Sequence, residues 1–201
     1  MSTSSVPRPR RRLGVDDRRA ELLGAGVRLL AAHSYDEITV AMVAAEASAS
    51  PGLIYHYFQN KHGYFLAVVE REAARLAEAT RTRSELPPRD RLIASLDGYL
   101  DYVQESPLAY KALYRGAMGA DAGVRAIMDA NLALQGERLL EALSPDEPPP
   151  VLLVITVRGW LSYLVTACLN WIDLGGVSRD DLRDLCLRTL ADSLSHLRNV
   201  S

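Results

Sequence analysis

The chain has 201 residues, 48% of them hydrophobic and 24% charged, with a formal net charge of −2. That is enough chain to bury a core without a metal or disulfide staple, and so balanced a charge argues against a generic polyanion binder. The charge is uneven, however: residues 1–62 carry eight Arg/Lys against six Asp/Glu, a formal +2, while residues 63–201 carry 15 against 19, a formal −4.

Residues 1–12 are rich in Ser, Pro and Arg, with four arginines between Arg8 and Arg12. They read as a disordered basic arm. No apolar stretch follows the arginines, so a secretory or twin-arginine signal is not expected, and the cytoplasm is the default location. After the arm the pattern is helical almost throughout, with none of the alternating runs that mark a sheet.

A first helix is expected from Asp16 or Asp17, which can cap it and suit its dipole. Its apolar stripe is Leu23, Val27, Leu30 and Ala31, and it stops near His33 and Ser34. Thr39 caps a second helix from Val40 to about Ala47. Ser48 and Ala49 form a tight turn. Ser50 caps a third helix, in which Pro51 takes the first position, where a missing N–H costs nothing; it runs only to about Phe58. Asn60 caps a fourth, continuing to about Arg81. Pro87-Pro88 open a fifth helix to about Glu105, and Ser106-Pro107 a sixth. Asp121 precedes a seventh, ending near Leu143. Pro148-Pro149-Pro150 start an eighth, which Gly175-Gly176 end. Ser178 with Asp181 resembles a capping box for a ninth, striped by Leu182, Leu185, Leu190, Leu194 and Leu197. The eighth helix is apolar enough to suggest a membrane span, but Arg158, Ser162 and Asn170 interrupt it. It reads as a helix buried on most sides, with no membrane partner.

The informative stretch is Thr39 to Lys61, TVAMVAAEASASPGLIYHYFQNK. Two short helices joined by a turn make a helix-turn-helix. The second is too short to be stable alone, so its neighbours must hold it. Yet Tyr55, His56 and Tyr57 are consecutive, about 100° apart around the axis, and cannot share one face. Some of this hydrogen-bonding surface must project outward. A short, capped helix presenting such groups suits the DNA major groove.

Thr39, Ser50, Gly52, Ile54, Tyr55, Tyr57, Phe58 and Lys61 stand at the spacing of the DNA-binding signature of the TetR family of bacterial regulators, which the segment resembles firmly over about residues 16–75. The resemblance implies an all-α protein of about nine helices. Its arrangement would be an arm at 1–12, a three-helix helix-turn-helix domain at 13–62 continuing into the fourth helix, and a helical ligand-binding and dimerisation domain at 63–201. One departure is Ser48, where the family usually has Gly in the turn; a left-handed Ser there costs on the order of 1 kcal/mol.

By the same resemblance, Thr39 and Lys61 contact phosphates, and Lys61 sits in the first turn of a helix whose free N–H groups favour an anion. Tyr55 and Tyr57 offer hydroxyls to phosphates, with core packing as the alternative for either. Ser50, Pro51, Gly52, Leu53 and His56 face bases, Pro51 and Leu53 by apolar contact alone. Ile54 and Phe58 belong to the core. Arg10, Arg11 and Arg12 enter a minor groove, or else solubilise a free arm. The partners implied are double-stranded DNA carrying a palindromic operator, a small-molecule effector of unknown identity, and a second copy of the chain paired through the eighth and ninth helices. The expected activity is that of a ligand-responsive regulator, a repressor by family habit.

In the second half, Tyr99, Tyr102, Tyr110, Tyr114, Met118 and Met128, with Arg158, Trp160, Tyr163 and Trp171, describe either a small-molecule pocket or any helical core. Tyr99, Tyr102, Tyr110, Tyr114, Arg158, Trp160 and Tyr163 are the candidate ligand residues. Arg158, within an apolar helix, needs a partner: a carboxylate such as Asp129, or an acidic ligand. The two cysteines, Cys168 and Cys186, fit buried thiols. No metal-ligand spacing or cofactor motif appears, and the four histidines are too scattered to build a catalytic site. A helical scaffold without DNA binding is the alternative to the regulator.

Overall fold

The computed structural model describes residues 14–81, 85–115 and 120–200. The arm at 1–12, with Arg10, Arg11 and Arg12, lies outside these residues, as does Met118. The described residues form nine helices and no strand: α1 (Val15–Ala32), α2 (Val40–Glu46), α3 (Pro51–Phe58), α4 (Lys61–Ala79), α5 (Pro88–Glu105), α6 (Pro107–Tyr114), α7 (Ala122–Leu143), α8 (Val151–Leu174) and α9 (Arg179–Val200).

Local chemistry sets most of the boundaries. The Thr39 side chain accepts from Met42 N, Ser50 from Leu53 N and Asn60 from Gly63 N, so three successive helices begin on side-chain caps. Asp121 caps α7 by accepting from both Gly123 and Val124 N. Ser178 Oγ accepts from Asp181 N at 3.1 Å and donates to the Asp181 carboxylate at 2.6 Å. Two expected caps differ. α1 begins one residue earlier than its aspartates, on Gly14 without a side-chain cap, and Asp16 and Asp17 occupy its first turn, where they still suit the dipole. Ser106 also makes no side-chain cap, because it serves two helices at once: its N–H closes α5 on Tyr102 O and its carbonyl opens α6 to Tyr110 N.

Two cores form, and α4 contributes to both. The first gathers Leu22, Ala25, Leu29, Val43, Ile54, Phe58, Tyr64, Phe65 and Val68 from α1–α4, joined by Leu113, Val124 and Met128. The second runs from Leu76 near the end of α4 through α5, α6, α8 and α9. The first turns of α4 are clamped to α1, where the Tyr64 hydroxyl donates to Leu22 O at 2.6 Å. Gly26 makes that approach possible, since a Cβ there would stand 2.6 Å from both Tyr64 Oη and Val68 Cγ2. Further along, Asn131 of α7 donates to Ala73 O at 2.8 Å. The N-terminal helices and the C-terminal helices thus share one rod, α4.

α8 is not buried on most sides. Only 28% of its most apolar 18-residue window is buried. Leu152 and Ile155 are 54% and 60% exposed, and on neighbouring α9 Leu185 is 45% exposed. α8 is long and apolar enough to cross a membrane by length and composition alone, but it packs along α9 and α7, with Val157, Trp160, Leu161, Leu164 and Cys168 in the second core.

Candidate nucleic-acid interface and sensing cavity

The α2–α3 unit is held from inside. Ile54 and Phe58, one helical turn apart, are buried in the first core, as the sequence leads one to expect for positions i and i+4. The turn before α3 carries the strain anticipated from Ser48, whose φ is +48°, and Arg18 steadies it by donating to the Ser48 carbonyl at 3.1 Å. A second left-handed residue, Gln59 at φ +62°, ends α3; nothing in the sequence pattern singled it out.

With one face fixed, the other points out. Ser50, Pro51, Gly52, Tyr55 and His56 are exposed, Tyr55 by 52%. A Cβ added at Gly52 meets nothing within 4 Å, so the start of α3 is open to a close approach. Leu53 and Tyr57 are half-buried and pack against the first core, which leaves each only partly available to a partner. Tyr57 stacks edge-on with His56, centroids 5.5 Å apart. The Ser50 hydroxyl accepts from Leu53 N at 3.3 Å, leaving its own O–H to donate elsewhere.

Thr39 and Lys61 flank this helix at the starts of α2 and α4. The Lys61 ammonium sits 4.4 Å from the Tyr35 ring centroid and 3.5 Å from Asp36 O. These contacts hold the cation against the Tyr35–Asp36 loop, while its own residue opens α4, whose N-terminus carries partial positive charge. Beside it, His62 Nε2 lies 3.1 Å from Asp121 Oδ2, tying the first turn of α4 to the start of α7. The Asp121 carboxyl is held below the usual carboxylate range by Val124 N–H and by His62.

The C-terminal helices line a half-open cavity of about 310 Å³ between the end of α4 and α5, α7 and α8. Of the seven expected ligand residues, Tyr99 and Trp160 line it. Tyr102 and Tyr110 are buried in the second core, and Tyr114 and Tyr163 pack against it. The Tyr99 and Tyr110 hydroxyls bond each other at 2.8 Å, and burial pushes both well above the ordinary phenol value. Burial likewise pushes Tyr114 up to about 12. Trp160 spends its N–H on Cys186 O at 2.9 Å.

Arg158 neither lines the cavity nor pairs with Asp129. It is exposed on α8 and makes no ion pair among the described residues. The expectation assumed that an apolar helix surrounds its arginine with the chain's own core, whereas Arg158 stands on a face of α8 that this core does not cover. Arg81, Arg91, Gln135 and Arg138 do line the cavity and were not anticipated. They come from three stretches of chain, the end of α4, the start of α5 and α7; only Gln135 and Arg138 are joined by local helical spacing, and packing brings the rest together. Cys168 and Cys186 are buried and free, with the Cys186 thiol pushed up by burial to about 11.

An all-helical chain with an outward-facing helix-turn-helix and a cavity-bearing helical half is the architecture of a one-component DNA-binding regulator. Residues 22–68 match the family described as "Bacterial regulatory proteins, tetR family", and residues 88–192 match the "Tetracyclin repressor-like, C-terminal domain". The chain belongs to the tetR family. It is 28% identical over 152 residues to the HTH-type transcriptional repressor KstR of Rhodococcus jostii, covering 74% of this chain and 72% of that protein. It is 32% identical over 99 residues to the HTH-type transcriptional regulator BetI of Escherichia coli, covering 47% of this chain and 51% of that one, so it spans about half of BetI. The fold is similar to a crystal structure of a tetR-family transcriptional regulator from Streptomyces coelicolor, with a TM-score of 0.85 and 27% identity over 94% of this chain and 85% of that one. Its function is accordingly that of a ligand-responsive, DNA-binding transcriptional regulator.

Proposed function

We propose that two copies of this chain pair through α8 and α9 and set two α3 helices into major grooves on one side of a palindromic operator, in the cytoplasm. The observation that carries this reading is the division of α3 into a buried edge, Ile54 and Phe58, and an open one, Ser50, Pro51, Gly52, Tyr55 and His56. Residues 13–62 then act as the reading domain and 63–201 as the sensing and pairing domain. Tyr55, Thr39 and Lys61 hold phosphates, and Ser50 and His56 meet base edges. Arg10, Arg11 and Arg12 reach the adjacent minor groove.

Repression is the favoured sense of action, supported by the repressor named among the relatives. A small molecule in the cavity beside α4 favours a conformer whose two reading heads no longer match the half-site spacing. It shifts occupancy only by its differential affinity for the two conformers. The dimer is supported by the exposed aliphatic residues Leu152, Ile155 and Leu185, which give α8 and α9 surface beyond what the chain's own core uses.

The test is selection of bound sequences from a random duplex pool by the full chain at moderate salt. Enrichment of a palindrome is the expected result. A folded chain that enriches no motif, with or without candidate effectors, contradicts the reading and favours a scaffold.

A further inference from the structure

The cavity bounded by α4, α5, α7 and α8 has a chemistry that narrows its ligand, and the inference rests on the reading of this half as the sensing domain. Its walls are apolar: Leu92, Leu96, Leu139, Trp160, Leu161 and Leu164. At about 310 Å³ it lies at the small end of ligand pockets and holds a molecule of roughly a dozen non-hydrogen atoms. Its charged lining is unbalanced, with three arginines, Arg81, Arg91 and Arg138, against one carboxylate, Glu141.

The three arginines are not equivalent. Arg81 is exposed and pairs with Glu78 at 3.4 Å. Arg138 donates to Ala77 O at 2.8 Å and so helps close the end of α4. Arg91, in the first turn of α5, is half-buried, and its Nε is shielded from solvent without a hydrogen-bond acceptor among the described residues. A shielded guanidinium N–H with no acceptor is uncommon, because the group loses its water without replacement. Gln135, Ser95 and Glu141 also line the cavity, yet none of them accepts a hydrogen bond from the Arg91 Nε–H.

The geometry points to an amphipathic anion as the effector class: a carboxylate or phosphate head held by Arg91, with Arg138 behind it, and an aliphatic tail laid along Leu92, Leu96, Leu161 and Leu164. A guanidinium presents a donor fork that matches either head group. The same site gives a neutral molecule of equal length no acceptor charge to offer Arg91, so charge becomes the discriminating feature.

Calorimetric titration of the full chain with octanoate, octyl phosphate and octan-1-ol tests this. At least one anion is expected to bind about tenfold or more tightly than the alcohol, as a charge-assisted hydrogen bond implies, and the tighter anion identifies the head group. Arg91→Gln is expected to lose that preference while keeping its affinity for the alcohol, Arg91→Lys to restore part of it, and Arg89→Gln, an exposed neighbour, to leave it unchanged. Equal affinity for alcohol and anions, a preference that survives in Arg91→Gln, or no binding of either anion at millimolar concentration would overturn the assignment. Operator affinity measured with and without the bound anion separates the two levels: an Arg91-dependent anion that leaves DNA binding unaltered upholds the site and removes the sensing role.

Discussion

α3 and α8 each leave a face that this chain does not cover, and the two faces have opposite chemistry. α3 turns out Ser50, Tyr55 and His56, groups that hydrogen-bond, beside a lysine at the next helix start. α8 turns out Leu152 and Ile155, which cannot. A polar face with hydroxyls and a capped N-terminus fits a phosphate backbone and base edges, whereas an aliphatic face gains only by meeting another apolar surface. One molecule therefore carries two open faces suited to two kinds of partner, and the chemistry of each is legible from the side chains left over after the core is built. The remaining face of each helix works alike: Ile54 and Phe58 anchor α3, and Val157, Trp160 and Leu164 anchor α8.

The sharpest way to break the contrast is to strip one face and watch the other. Tyr55→Ala with Lys61→Ala should weaken operator binding by about a thousandfold, since a dimer gives up four hydrogen bonds to phosphate at about 1 kcal/mol each. Dimer mass should be unchanged and the melting temperature only slightly lower, because the Tyr35 ring no longer has the Lys61 ammonium over it; retained affinity in gel shift would sink the assignment. Next comes Ile155→Asp with Leu152→Asp, which places charges in the pairing face. Sedimentation should show the dimer weakened by about a hundredfold or more, with the helical content of the monomer intact. Removing residues 1–12 should cost about tenfold in affinity and flatten the salt dependence by about 0.9 in log–log slope for each phosphate the arm had neutralised; an identical slope would place the arginines off the DNA.

Two smaller effects sharpen the picture of the reading head itself. Ser48→Gly relieves a left-handed serine, worth about 1 kcal/mol, but loosens the unfolded chain by somewhat less. The net gain in urea denaturation should be about 0.5 kcal/mol. Asp121→Asn keeps the α7 cap, because Asn also caps, and removes the charge facing His62. The Asp121 carboxyl sits below its ordinary value in the folded chain, so its contribution is present above that ordinary value and is lost as pH falls through the lower, folded one. The variant should melt below the parent at neutral pH, with the gap closing under strongly acidic conditions. A gap that persists there would mean that the charge is not its source.

The reading head was legible in the sequence because its signals are local. Caps, a helix-opening proline and i, i+4 apolar pairs act within a few residues, so Thr39, Ser50 and Asn60 each begin a helix where they stand. Ser48 was legible for the same reason. Gln59 was not, since a left-handed glutamine is set by how α4 must leave α3 and by no residue preference. The sensing half was legible only as helices. Its aromatic residues marked a core, and only Tyr99 and Trp160 reached the cavity. Arg91 and Arg138 lie far apart in the chain on different helices, a juxtaposition that only packing creates. The apolar run of α8 led to a wrong picture of Arg158, because composition does not distinguish a chain's own core from an apolar surface it leaves open.

The central claim is that a dimer holds two α3 helices at a set distance. Its most direct test takes the selected palindrome and compares it with the same palindrome lengthened at its centre by about half a helical turn, roughly five base pairs. The account predicts a loss of about a hundredfold or more in affinity, since the second half-site rotates to the far side of the duplex. Equal affinity for the two duplexes would contradict it, because the reading heads would then bind independently of one another.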